Sequence, residues 1–258
     1  MYPILFEVWG FQISSFGVLV AMGALLGGRI FATGLEERGY DRERAWSVLF
    51  WALVGGVLGS KIWFTCEMLA RGATLAELFP DWQSARGGLT WYGGLVGGTL
   101  GAMLAARLYR IPVVLATHFA APATALGQCL GRIGCLMVGD DYGSPTDLPW
   151  GIAFPEGQPP IDVPVHPTMV YEAIWLALIT WLLWSRRNRS RNLLPEYFVL
   201  AGVGRFLDEF LRTNPPLLGP LSNAQVTALV SVLLGGALML YVRSSERTSA
   251  LPISAETS

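Results

Sequence analysis

Four cations stand inside apolar runs of this chain: Arg29, Lys61, Arg132 and Arg205. Arg132 lies between Gly131 and Ile133-Gly134, just before the acidic turn Gly139-Asp140-Asp141-Tyr142-Gly143. A guanidinium keeps its proton at any ordinary pH, and its planar fork matches a carboxylate or a phosphate through paired, charge-assisted hydrogen bonds. Two chemistries follow. Asp140, Asp208 and Glu209 could neutralise Arg132 and Arg205 internally. Alternatively, Lys61, Arg132 and Arg205 form a cradle for an anionic ligand, because a structural pair needs only one cation and one acid. Cys66, Cys129 and Cys135 lack metal-type spacing, and His118 and His166 are the only histidines, so no metal and no cofactor are expected.

The background makes these charges unusual. Hydrophobic residues are 52% of the 258 and charged residues 14%, against roughly 25% charged in soluble domains. A net charge of −1 suggests no nucleic-acid partner. Apolar runs of about 20 residues recur, each long enough to cross about 30 Å of hydrocarbon. The pattern predicts an all-α polytopic membrane helix bundle with seven transmembrane spans, near 12–34, 45–68, 90–109, 114–138, 169–185, 194–212 and 224–242. Positive charge gathers in alternate connections: Arg38, Arg42 and Arg44 after the first span, Arg186, Arg187, Arg189 and Arg191 after the fifth, and Arg243 and Arg247 after the last. The segments 139–168 and 213–223 carry none, which puts the N-terminus out and the C-terminus in. The second connection, with Arg71 and Arg86, blurs the pattern.

Arg29 stands near the inner end of its span and can snorkel to the surface. Lys61, Arg132 and Arg205 each fall about seven or eight residues inward of the outer end, a shared level roughly 10–12 Å deep. A lipid-facing charge there costs about 2.5–3.5 kcal/mol or more, so such cations face a cavity and a partner. The abundant phosphate at that depth belongs to lipid headgroups, so the cradle reading implies a phospholipid.

A single transmembrane domain is expected over 1–244, with a polar cytoplasmic tail, 245–258, disordered. Segments 69–89 and 139–168 are expected to form a periplasmic cap. The second holds seven of the sixteen prolines yet carries Tyr142, Trp150 and Phe154, which reads as an ordered cover. Glycine pairs at Gly27-Gly28, Gly55-Gly56, Gly93-Gly94 and Gly97-Gly98 allow close helix approach. The first eleven residues lack a positive n-region, so no cleaved signal peptide is expected. No fixed-period repeat points to an inverted-repeat transporter.

Four ordered motifs then carry a resemblance: Tyr92-Gly93-Gly94-Leu95, Gly131-Arg132-Ile133-Gly134 with Gly139-Asp140 and Gly143, His166-Pro167 with Tyr171-Glu172, and Arg205 with Glu209 and Arg212. Together they resemble the bacterial phosphatidylglycerol–prolipoprotein diacylglyceryl transferase family. The resemblance implies transfer of a diacylglyceryl group from phosphatidylglycerol to the lipobox cysteine thiol of a preprolipoprotein signal peptide, releasing glycerol phosphate at the outer face of the bacterial inner (plasma) membrane. It implies catalytic roles for Arg132, Arg205 and Tyr92, and substrate-binding roles for Gly93, Gly94, Lys61, Asp140, His166, Glu209 and Arg212. A monomer is expected.

The chain also departs from the family pattern. Tyr92 stands for a histidine usually proposed as base, Lys61 for an arginine, His118 for an acid, Cys135 and Val138 for asparagines, and Asp140 for a glutamate. Tyr92 therefore reads either as the base or as an interfacial aromatic beside Trp91. His166 reads either as a base or as an anchor of the Pro-rich segment. A diverged paralogue with another acceptor, or a non-catalytic phospholipid-binding protein, stays open on the same residues.

Overall fold

The computed structural model of the chain describes residues 3–8, 11–78, 88, 90–190 and 192–249. Trp82, Arg86, Gly87 and Arg191 lie outside the described residues, as does the tail from 250 onward. Most of the described chain is helical. Seven long helices fall on the seven expected apolar runs: α1 (Ser15–Glu36), α2 (Arg42–Ala70), α4 (Trp91–Leu108), α5 (Val113–Val138), α6 (Thr168–Arg186), α7 (Leu194–Asp208) and α8 (Asn223–Ser249), with a single turn, α3 (Leu75–Leu78), after α2. Helix α8 thus continues into the segment read as tail.

By length and composition, five are able to cross a membrane: α1, α2, α5, α6 and Asn223–Val242 of α8. The expected span over 194–212 is cut short. α7 has 15 residues, about 22 Å of helix, before the chain tightens into the 3-10 turn Glu209–Leu211. Large apolar side chains such as Leu178, Trp181, Leu233 and Leu240 are turned outward, as hydrocarbon surroundings permit.

The all-α expectation is corrected in detail by three two-stranded antiparallel ribbons: β1 (Ile4–Val8) with β2 (Phe11–Ser14), β3 (Ile152–Phe154) with β4 (Ile161–Val165), and β5 (Pro216–Leu218) with β6 (Leu221–Ser222). Strands of two to five residues show too little alternation to be read from sequence. The Pro-rich segment is indeed folded. Tyr142 stacks on Phe154 with ring centroids 5.6 Å apart, and its hydroxyl donates to the Pro159 carbonyl at 2.6 Å.

The chain divides into two compact units, Met1–Ile30 with Thr117–Ser258, and Phe31–Ala116. In the first, Ala121, Ala125 and Cys129 of α5, Ala173, Leu176, Ile179 and Leu183 of α6, and Tyr197 of α7 form one buried cluster. A second cluster of Cys135, Phe154, Val165 and Met169 fixes the β3–β4 ribbon against the end of α5 and the start of α6. In the other unit, α2 and α4 meet backbone to backbone. A Cβ on Gly97 would lie 2.2 Å from the Gly55 carbonyl oxygen, and one on Gly93 would lie 2.4 Å from that of Gly59. Only hydrogen fits there, as the glycine pairs predict. Ser60 donates to the Thr90 carbonyl at 2.9 Å, and Thr90 donates back to the Ser60 carbonyl at 3.2 Å, closing the same contact.

Candidate active site

Arg132 lies on α5 one turn from Cys129 and one from Cys135, both buried, so the core packing of α5 aims the guanidinium inward. Glu172 lies on α6 beside buried Ala173 and one turn from Met169. Arg205 stands in the last turn of α7, with Asp208 and Glu209 three and four residues on and Arg212 three further, so each reaches the next along one helical face.

These side chains close into a ring of ion pairs. Arg132 Nε meets Glu172 Oε2 at 2.6 Å, and Glu172 Oε1 meets Arg205 Nη1 at 3.1 Å. Arg205 Nη2 meets Glu209 Oε2 at 2.9 Å, which Arg212 Nε also approaches at 3.6 Å. Arg212 Nη2 donates to Asp141 Oδ1, and Asp141 Oδ2 accepts from Arg132 Nη1 at 2.7 Å, completing the circuit. Asp208 hangs from it through Arg205 Nη1 at 3.4 Å. Three guanidiniums thus face four carboxylates. Low dielectric strengthens such pairs, and breaking one leaves an uncompensated buried charge.

Backbone contacts lock the ring in place. Asp141 adopts φ 61°, in the left-handed region that aspartate tolerates better than most residues. Its carbonyl accepts from Thr168 Oγ1 and from Arg212 Nη1, each at 2.7 Å. Gly143 donates to the His166 carbonyl at 2.8 Å, and Ser144 to that of Leu211 at 2.7 Å. A Cβ on Gly143 would stand 2.6 Å from the Leu211 oxygen, so this glycine is the junction of three segments. Glu209 Oε1 accepts from Ser222 Oγ at 2.6 Å and from Asn214 Nδ2 at 2.7 Å. Ser222 and Gln225 exchange reciprocal side-chain to backbone bonds, a capping box that starts α8.

Exposure is uneven. Glu209 is 2% exposed at its side chain and Arg212 6%, while Asp141 is 41% exposed. Burial pushes the Asp141 carboxyl up, but the Arg212 and Arg132 charges and hydrogen bonds outweigh it and hold the group below the ordinary aspartate value.

Among the expected site residues, the first unit brings together Arg132, Arg205, Glu209 and Arg212. The counter-ion expected at Asp140 is corrected to its neighbour Asp141. Asp140 lies toward Cys135, its carboxyl pushed up chiefly by burial. His166 accepts and donates backbone bonds to Gly143 and Ser144, with Nδ1 3.4 Å from the Tyr171 hydroxyl, to which Trp150 Nε1 donates at 2.8 Å. Those bonds tie His166 to the Gly143–Ser144 turn. His118, on α5, is buried with Nε2 3.0 Å from the Arg187 carbonyl.

Lys61, Tyr92, Gly93 and Gly94 belong to the other unit. There Lys61 Nζ lies 5.5 Å from the Phe64 ring centroid, and Tyr92 packs edge-on against Trp91. Gly93 is the close contact described above, and Gly94 abuts Ser60. An open apolar groove of about 700 Å³ runs between α2 and α4 along Leu58, Ile62, Trp63, Val96 and Leu100, a lining suited to hydrocarbon. Residue-level reading missed Asp141 and Ser222, and it gave Glu172, quoted only within a motif, no role. The Ser-x-x-Gln pattern at 222–225 was the available signal for Ser222.

Apolar helices that carry a charge-dense ring fit the class of multi-pass membrane proteins. The sequence model of the family described as prolipoprotein diacylglyceryl transferase matches residues 3–241. A phosphatidylglycerol–prolipoprotein diacylglyceryl transferase of Clostridium tetani is 30% identical over 240 residues, covering 91% of this chain and 95% of that protein. One of Nostoc sp. is 31% identical over 271 residues (99% and 95%), and the second such enzyme of Clostridium perfringens is 31% identical over 251 (94% and 95%). The chain belongs to the prolipoprotein diacylglyceryl transferase family. It is a transferase of lipoprotein biosynthesis, and its helices fit a multi-pass protein of the bacterial inner membrane.

Proposed function

We propose that the chain transfers the diacylglyceryl group of phosphatidylglycerol to the lipobox cysteine of a preprolipoprotein, releasing glycerol phosphate. The observation that carries this reading is the convergence of Arg132 and Arg205, from different helices, on the two oxygens of Glu172. Guanidiniums gathered from two helices suit a phosphate whose charge rises as it leaves. Such preorganised electrostatics is commonly the largest catalytic contribution. The acceptor sulfur forms a bond to the glyceryl carbon, the carbon–oxygen bond to phosphate breaks, and the electron pair stays on the phosphate oxygen. The thiol proton goes to a base before or during attack, since the thiolate is the nucleophile.

Arg132 and Arg205 bind and neutralise the phosphate, with Arg212, Glu209 and Asp140 around them. Lys61, Tyr92, Gly93 and Gly94 take substrate-facing roles by their place in the family motifs, and Tyr92 or His166 accepts the thiol proton. In the membrane the seven helices are spans with the N-terminus out, the site opens to the periplasmic side, and the enzyme works as a monomer.

The test is modification of a lipobox peptide with phosphatidylglycerol in detergent. Arg132→Ala or Arg205→Ala abolishes transfer, and lysine at either position restores little because the fork is lost. Full activity of Arg132→Ala in membranes would overturn the proposal.

A further inference from the structure

Three of the ring's carboxylates are buried, whereas that of Asp141 is 41% exposed and is held by two arginines, Arg132 and Arg212. Asp141 is the most solvent-exposed acid of the ring, so an anion entering from solvent competes with it for Arg132 and Arg212. Its backbone is pinned by Thr168 and Arg212, so the carboxylate cannot drift far from the arginines when displaced.

The reaction sets a problem that this carboxylate answers. A phosphodiester carries one negative charge, and the phosphomonoester product carries about −1.5 to −2 near neutral pH. Arginines that bind the first bind the second more tightly, and product release becomes slow. Resting on the function proposed above, we infer that Asp141 holds the Arg132 and Arg212 side of the departing phosphate's seat and returns to it to expel the product. The carboxylate is an intramolecular competitor, so short tethering gives it a high effective concentration without any external ion. Asp141 is therefore a positioning residue whose loss tightens binding and slows turnover.

The test measures glycerol phosphate binding to the full chain in detergent by titration calorimetry, together with KM and kcat for peptide modification. Asn is the substitution of choice because it tolerates the φ of 61° that Asp141 adopts. If the carboxylate holds the seat about nine-tenths of the time, Asp141→Asn tightens glycerol phosphate about tenfold. KM and kcat both fall, and Asp141→Glu restores both. Asp141→Gly, free of steric cost at this φ, gives the same tightening should the amide variant fail to fold. Unchanged or weaker binding in a folded Asp141 variant overturns the inference. So does equal tightening by Asp162→Asn, which removes an exposed charge from β4 and would reveal a general field effect. Arg132→Ala separates the two levels: if it leaves glycerol phosphate binding intact, the phosphate-site reading itself fails. If it weakens binding while Asp141→Asn does not tighten it, only the role of Asp141 falls.

Discussion

Helices α2 and α4 touch through their backbones, while α5, α6 and α7 touch through charged side chains. In the first pair, glycines remove every atom that would hold the helices apart, and dispersion and shape do the rest. In the second group, an apolar cluster sets the spacing and the ion-pair ring fills what lies above it. Glycine contact fixes distance and is indifferent to charge. An ion-pair ring fixes the identity of its members, because removing one costs each neighbour one of its partners. Structure and chemistry are therefore separable in one region and inseparable in the other.

That contrast can be broken most forcefully at Glu172. Glu172→Ala removes the partner that Arg132 and Arg205 share, leaving Arg132 to Asp141 and Arg205 to Asp208 and Glu209, and the loss costs at most about 3–5 kcal/mol. Transfer should be lost and the thermal midpoint in detergent should drop sharply, whereas a variant of wild-type stability would show that the ring contributes nothing to the fold. A smaller effect is expected at Gly97. Gly97→Leu forces a side chain against the Gly55 carbonyl, and overpacking costs about 1–3 kcal/mol. Its thermal midpoint should fall by the same amount at every pH, since no titrating group is touched.

The smallest effect sharpens the comparison through pH. The folded Asp141 carboxyl lies below its ordinary value of about 3.9, so its stabilising contribution is present above that value and is lost as pH falls through the folded one. Thermal unfolding of wild type and Asp141→Asn across that range should show a modest difference at neutral pH that disappears in acid. A difference that persists in acid would mean that the carboxylate charge is not what stabilises the turn.

Sequence revealed the arginines more readily than their partners. A cation in an apolar run must have a partner, so Arg132 and Arg205 stand out without any geometry. Which acid answers them depends on a turn: the left-handed residue after Gly139-Asp140 swings Asp141, and not Asp140, toward Arg132. Family motifs pointed one position too early because the aligned acid stands at Asp140. The contact of α2 with α4 was legible because the glycine pairs at 55–56, 93–94 and 97–98 allow two helices to approach, whereas the three ribbons were too short to alternate visibly. The end of α7 at Asp208 was hidden by the apolar residues that follow it, Phe210 and Leu211, which continue the hydropathy but not the helix.

Glu209 stands where these threads cross, with one oxygen toward Arg205 and Arg212 and the other accepting from Ser222 and Asn214. Its carboxylate stretch, isolated by isotope-edited infrared spectroscopy, is accordingly a single-site reporter. A frequency change on adding lipid would register the ring opening and the first turn of α8 shifting within the same band.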